Sequence, residues 1–166
     1  MIENAVWNLG GVSSNSSNEN GYVLATTSIW YQNERNTNVY NGRPTEWAGQ
    51  IGLLYPSDYG YATSGGTIGR DTCLNISIYQ WYDSPEINYP ECFNNSWLYK
   101  ETPKWTLTPN LSNSSNIYIL SGSGRISTNH VYLLSNTVYP TLYLSSNIKI
   151  AEGVGTKENP FQLSRN

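Results

Sequence analysis

Charge is what this chain has least of. Only 13% of its residues are Asp, Glu, Lys or Arg, and the formal net charge is −3. No basic stripe exists that could neutralise phosphates or anionic headgroups, so nucleic acid and direct membrane contact by this domain are set aside as partners. Long apolar runs are missing too. Nothing approaches the roughly 20 consecutive apolar residues a membrane-spanning helix needs. The start Met1–Trp7 also lacks the charged-then-apolar order of a signal peptide.

Histidine occurs once, as His130, in an Asn/Ser-rich stretch. A nucleophile–base–orienter triad has no base to use, and His130 reads as an exposed loop or strand residue. The HExxH, paired CxxC and EF-hand spacings are absent, as are the calcium–sugar signatures of true C-type lectins. The twelve Asp and Glu residues read as solvated loop charges, with none at an apolar strand end where desolvation would make a general acid. The expectation is a protein that is not an enzyme and that uses no cofactor and no functional metal.

Cysteine is scarce but even in number. Cys73 and Cys92 lie 19 positions apart and outside any metal-binding pattern. A disulfide between them is favoured, which implies an oxidising compartment outside the cytoplasm. Two separately buried thiols remain the alternative.

What the chain does have is tyrosine, tryptophan and neutral polar residues. Fourteen Tyr and six Trp supply large apolar area, while Asn, Ser and Thr coat the surface. The 166 residues fit one domain over 1–166. Ile29, Trp30 and Asn33 at helical spacing predict a helix over Thr26–Asn33. Trp47–Leu54 predicts a buried strand that ends in a turn at Tyr55–Asp58. Asp71 reads as the N-cap of a second helix with Leu74, Ile78 and Trp81 on one face, ending before Pro85. Short strands follow at Trp105–Thr108, Ile117–Leu120, Val131–Leu134 and Thr141–Leu144. The class is α+β, with two short helices and a mainly antiparallel sheet. The predicted core comprises Trp47, Trp81, Trp97, Trp105, Ile51, Leu53, Leu74, Ile78, Leu142 and Leu144.

Several strings occur together in one order: Asn41-Gly42-Arg43-Pro44, Trp47 through Ser57-Asp58-Tyr59-Gly60-Tyr61-Ala62-Thr63, Cys73-Leu74, Asn95-Ser96-Trp97-Leu98, Trp105-Thr106-Leu107-Thr108-Pro109 and Pro140-Thr141-Leu142-Tyr143-Leu144. With Gly153-Val154-Gly155-Thr156 and Asn159-Pro160-Phe161 at the end, the chain resembles the C-terminal domain of bacterial type IV pilin-like surface proteins. The resemblance implies a C-type-lectin-like fold, shared with formylglycine-generating enzymes and with the variable receptors of diversity-generating retroelements. It also implies paired N- and C-terminal strands, and long late loops that carry the binding face. One departure is Val138-Tyr139-Pro140, where the family has Val-Arg-Pro, so no arginine-anchored network is expected there. A pilin-type N-terminal helix is absent, which fits a chain cut from a longer anchored protein.

The functional expectation is a ligand-binding (recognition or adhesion) module at the extracellular cell surface, with a protein or glycan as partner. A structural minor-pilin or stalk subunit is the alternative. The segment from Thr106 to Ile148 contains no Lys, Glu, Gln, Met or Trp. Those are residues that randomising the adenines of an Asn codon cannot produce, so Thr106–Tyr139 reads as a region diversified as in a retroelement variable protein; an A/T-rich gene encoding Ser/Asn-rich turns and Ile/Leu/Val strands is the alternative source of the same bias. The Tyr/Ser/Asn/Gly mixture of Asn110–Tyr139 is that of antibody-like paratopes, or of polar β-loops on a secreted protein. The exposed members of Asn110, Asn113, Asn116, Tyr118, Ser123, Arg125, Asn129, His130, Tyr132, Asn136 and Tyr139 are the expected ligand contacts.

Overall fold

The structure is a computed structural model that describes residues 2–13, 24–82, 89–99, 101–154 and 158–165. It is α+β, with short helices and several small antiparallel sheets. In chain order the elements are β1 (Ala5–Asn8), α1 (Thr27–Glu34), β2 (Glu46–Gly49), β3 (Ile51–Leu53), α2 (Pro56–Tyr61), α3 (Arg70–Asn75) and α4 (Pro90–Asn94). There follow β4 (Lys104–Pro109), β5 (Asn116–Leu120), β6 (Ile126–His130), β7 (Pro140–Leu142), β8 (Ile148–Glu152) and β9 (Gln162–Arg165).

The first helix lies within one residue of its expected place, and Trp30 and Glu34, four apart, face inward. The second helix is shorter than the Leu74, Ile78, Trp81 spacing predicts. Its N-cap is Gly69 rather than Asp71, and Ile76 turns extended, so α3 stops at Asn75 and Ile78–Trp81 forms a separate 3₁₀ turn. Pro85 lies outside the described residues. The expected turn at Tyr55–Asp58 is instead the start of α2. Pro56 sits where a helix tolerates a missing N–H, and the Asp58 carboxylate accepts the Tyr55 N–H at 2.8 Å. Cys92 lies in α4.

Strand expectations fail in two instructive places. Trp47–Leu54 is not one buried strand, because it breaks at Gln50 into β2, paired with β1, and β3, paired with β7. Each ribbon has only two strands and one covered face, so Trp47, Ile51, Leu142 and Leu144 stand 39–52% exposed instead of buried. Val131–Leu134 is an exposed turn, and the strand falls one step earlier, on β6. The termini do not pair as expected either. β1 pairs with β2 and β9 with β8, while Ile2 bridges Leu144.

The core forms where α1, α2, the Cys73–Cys92 region and the β4-β5-β6 sheet meet. The disulfide is present, with its Cα atoms 5.5 Å apart and both cysteines fully buried between α3 and α4. Trp81 packs on Tyr59 with ring centroids 5.2 Å apart, and Trp30 meets Tyr118 edge-on at 4.9 Å. Helices α1 and α2 approach closely because Gly60 lies against Thr27, where any side chain would collide. Of the predicted core, Trp81 and Ile78 are fully buried, whereas Leu53, Leu74 and Trp105 are half-buried. Trp97 is 75% exposed. The largest buried side chains outside that prediction are Trp7, Trp30, Tyr59, Lys104, Leu120 and Glu34.

Glu34 is a carboxyl at the buried end of α1. It accepts the Ser57 N–H at 2.9 Å and the Ser57 hydroxyl, and so caps the first turn of α2 from outside that helix. The Arg35 guanidinium donates to it at 3.0 Å and lies 3.6 Å from the Tyr31 ring centre. Burial outweighs these partners and pushes the Glu34 carboxyl up to about 7.

Candidate functional site

The three-stranded sheet runs from a tight turn at Ser121–Arg125 to an opposite end where β5 begins and β6 finishes. At that opposite end Asn116 pairs directly with His130, which puts their side chains on the same face. The chain then leaves β6 through a turn over residues 131–136 that folds back on itself. The Leu133 N–H reaches the His130 carbonyl at 3.1 Å, and Asn129 touches Asn136 at 3.5 Å.

Seven of the expected contact residues therefore gather at one sheet end: Asn110, Asn113, Asn116, Asn129, His130, Tyr132 and Asn136. Asn110 and Asn136 are buried there, while Tyr132 is 69% exposed and stacks on His130 with ring centroids 5.0 Å apart. Asn110 and Asn113 each accept the backbone N–H two residues on, which shapes the β4–β5 loop.

The remaining four sit elsewhere. Tyr118 is buried in the core and donates to the Val12 carbonyl at 3.2 Å, because its position on β5 faces α1. It is not a surface contact. Ser123 and Arg125 lie at the far turn of the sheet, where Arg125 packs over the Tyr82 ring at 4.6 Å. Tyr139 lies below the Lys104 ammonium at 5.0 Å and lines a different concavity.

Three buried polar atoms at the sheet end have no protein hydrogen-bond partner: Asn116 Oδ1, His130 Nδ1 and Asn136 Nδ2. Native structures leave few such atoms unsatisfied, so each of these takes a water or an outside partner; core atoms such as Trp30 Nε1 and Trp81 Nε1 share the condition, but these three lie together beside an exposed turn. The turn beside them is apolar and uncovered. Val131 is 57% and Leu134 97% exposed. An isolated exposed leucine is unremarkable, but three large side chains in one short turn, Tyr132 included, form a contact patch.

Two concavities flank this arrangement. One, about 430 Å³, opens beside the sheet end and is lined by Asn110, Ser114, Asn116 and Val131 together with Tyr40 and Arg43. Tyr40 and Arg43 were absent from the sequence-based contact set. Their only signal was the Asn41-Gly42-Arg43-Pro44 string, and nothing in that string says which pocket it lines. The other, about 700 Å³, is an aromatic cleft bounded by Trp97, Tyr61, Tyr139 and Tyr143. Its single acidic wall residue is Asp58, whose carboxyl burial pushes upward and whose Oδ2 is committed to the Tyr55 N–H.

No family model, curated protein or solved structure matches the chain. Its function is thus argued from its own residues. Among the described residues no three His, Cys, Asp or Glu side chains gather as a metal site would require. Among the described residues, the carboxyl–hydroxyl pair with a strongly raised acid, Glu34 with Ser57, is fully buried and lines neither concavity, so it serves α2 rather than a substrate.

Proposed function

We propose that this chain is a recognition module whose ligand surface is the end of the β4-β5-β6 sheet together with the turn over residues 131–136. The observation that carries this reading is the cluster of unpartnered buried polar atoms on Asn116, His130 and Asn136, set beside a turn in which Tyr132 and Leu134 are 69% and 97% exposed. Paratopes combine the same ingredients: a rigid aromatic anchor, adaptable amides and a scaffold that fixes both. The proposed setting is an extracellular, cell-surface domain of C-type-lectin-like architecture. The buried disulfide is consistent with that location, and no helix among the described residues is long and apolar enough to cross a membrane. The ligand is a protein or a glycan. The proposal extends to diversification, since the whole ligand surface on the late strands falls inside the segment from Thr106 to Ile148 that lacks Lys, Glu, Gln, Met and Trp.

A specific observation also favours the structural-subunit alternative. The outer faces of the β1–β2 and β3–β7 ribbons leave Trp47, Ile51 and Leu142 exposed, as a subunit packed among neighbours would. One substitution separates the two. On an array of surface glycans and displayed proteins, Tyr132→Ala is expected to weaken binding at least about tenfold, as loss of an interface tyrosine does. It should leave the unfolding midpoint unchanged, because the side chain is exposed. A structural subunit would show no ligand, and its self-association would not respond to Tyr132→Ala.

A further inference from the structure

The pocket beside the sheet end is built around a cation. The Tyr40 carbonyl accepts the Arg43 N–H at 2.9 Å across a four-residue turn, and Gly42 inside it has φ of 78°, a left-handed conformation that suits glycine. Pro44 then restricts Arg43 to extended backbone. Further hydrogen bonds fasten this loop to the chain around it: Leu9 N–H to the Thr45 carbonyl at 2.8 Å and Gly11 N–H to the Asn38 carbonyl at 2.9 Å. Tyr40 and Arg43 both line the pocket, together with Asn116 and Ile117.

Arg43 has no acidic partner and no side-chain hydrogen bond among the described residues, and the Tyr40 hydroxyl has none either. The amide oxygen of Asn116 in the same pocket is buried and unpartnered. An arginine positioned in a concavity, without a carboxylate from its own chain, offers a planar set of donors to an anion. The surface around it is apolar. Val131 lines the pocket and continues into the exposed Tyr132 and Leu134. A free sugar acid would leave that turn in water, whereas a protein surface covers it, and interfaces concentrate arginine and tyrosine within such apolar collars.

We infer that this pocket receives an acidic side chain of a protein ligand, whose carboxylate pairs with Arg43 while the turn over residues 131–136 packs on the residues around it. The inference rests on the sheet end being the ligand surface, and it adds the charge and class of what binds there.

The test is selection from a random displayed cyclic-peptide library against the wild-type protein and against Arg43→Glu. Peptides selected on wild type are expected to be enriched in Asp or Glu flanked by apolar residues, and those selected on Arg43→Glu in Lys or Arg at the same place. A wild-type peptide should lose about 10–100-fold in affinity for Arg43→Gln, the range expected for a charge-assisted hydrogen bond. Since Arg43 is exposed, circular dichroism and the unfolding midpoint should be unchanged in both variants. Selected peptides that are sensitive to Tyr132→Ala but show no charge preference, or the same preference on Arg43→Glu, overturn the inference and leave the ligand surface standing. Peptides indifferent to Tyr132→Ala overturn the surface itself. If glucuronate binds in an Arg43-dependent way while no peptide is selected, the pocket takes acidic sugars and the protein-ligand inference is wrong.

Discussion

Replacing Trp81 by alanine is expected to destabilise the protein by about 3–5 kcal/mol, whereas Trp97→Ala should stay within about 0.5 kcal/mol of wild type. Trp81 is fully buried against Tyr59, the disulfide lies in the same cluster, and removing the indole leaves a void that rigid neighbours cannot close. Trp97 stands 75% exposed at the mouth of the aromatic cleft and gives up little contact when truncated. Urea denaturation of the two variants checks this. Equal losses, or the reverse order, would mean that the core does not lie where the helices meet the three-stranded sheet.

The second large effect is a loss of stability as pH rises through neutrality. Glu34 binds its proton more tightly folded, at about 7, than in an ordinary carboxyl at 4.5, so its contribution is full below about pH 4.5 and is lost as pH climbs through 7. The difference across that window is worth roughly 3 kcal/mol if Glu34 alone sets it. The Asp58 carboxyl is shifted in the same direction by its own burial. Unfolding midpoints measured at pH 5 and pH 8 should therefore fall with pH. Glu34→Gln keeps an amide oxygen to accept the Ser57 N–H and places an NH2 that donates to the Ser57 hydroxyl oxygen, without a titrating group, and it should flatten most of the difference. Wild-type stability that rises over the same range would contradict the assignment.

Several features were legible because they depend on local rules. The first helix follows from the spacing of Ile29, Trp30 and Asn33. The α+β class follows from helices early and short strands late. The disulfide follows from two isolated cysteines, and the structure closes the choice that the sequence left open. What was not legible depends on which face a neighbour covers. Trp47–Leu54 looks like a buried strand because it is apolar, yet β2 and β3 belong to two-stranded ribbons whose outer faces nothing covers among the described residues. Val131–Leu134 looks like a strand for the same reason and is a turn. Buried Lys104 and Glu34 run against every burial preference. They are tolerated because Lys104 donates to the Thr102 carbonyl at 2.9 Å and Glu34 is held by Ser57 and Arg35.

The expected contact set behaved in the same divided way. Its asparagines around residues 110–136 converge because β5 and β6 are consecutive hairpin strands, a short-range consequence of sequence order. Tyr118 could not be separated from them by type, since a tyrosine on a strand faces either side with equal ease, and here it faces the core. Arg43 enters from a segment distant in sequence, through a turn whose destination only the packing of residues 9–12 against 38–45 reveals.

Tyr132 and Trp97 are comparably exposed aromatics, one in the turn after β6 and the other at the aromatic cleft, which makes them reporters for the central claim. Hydroxyl-radical footprinting should be run on the protein alone and saturated with a ligand selected on the array or from the peptide library. The account predicts protection of Tyr132 and His130 with Trp97 labelled as before. Protection of Trp97 with Tyr132 unchanged would place the ligand in the aromatic cleft and contradict it.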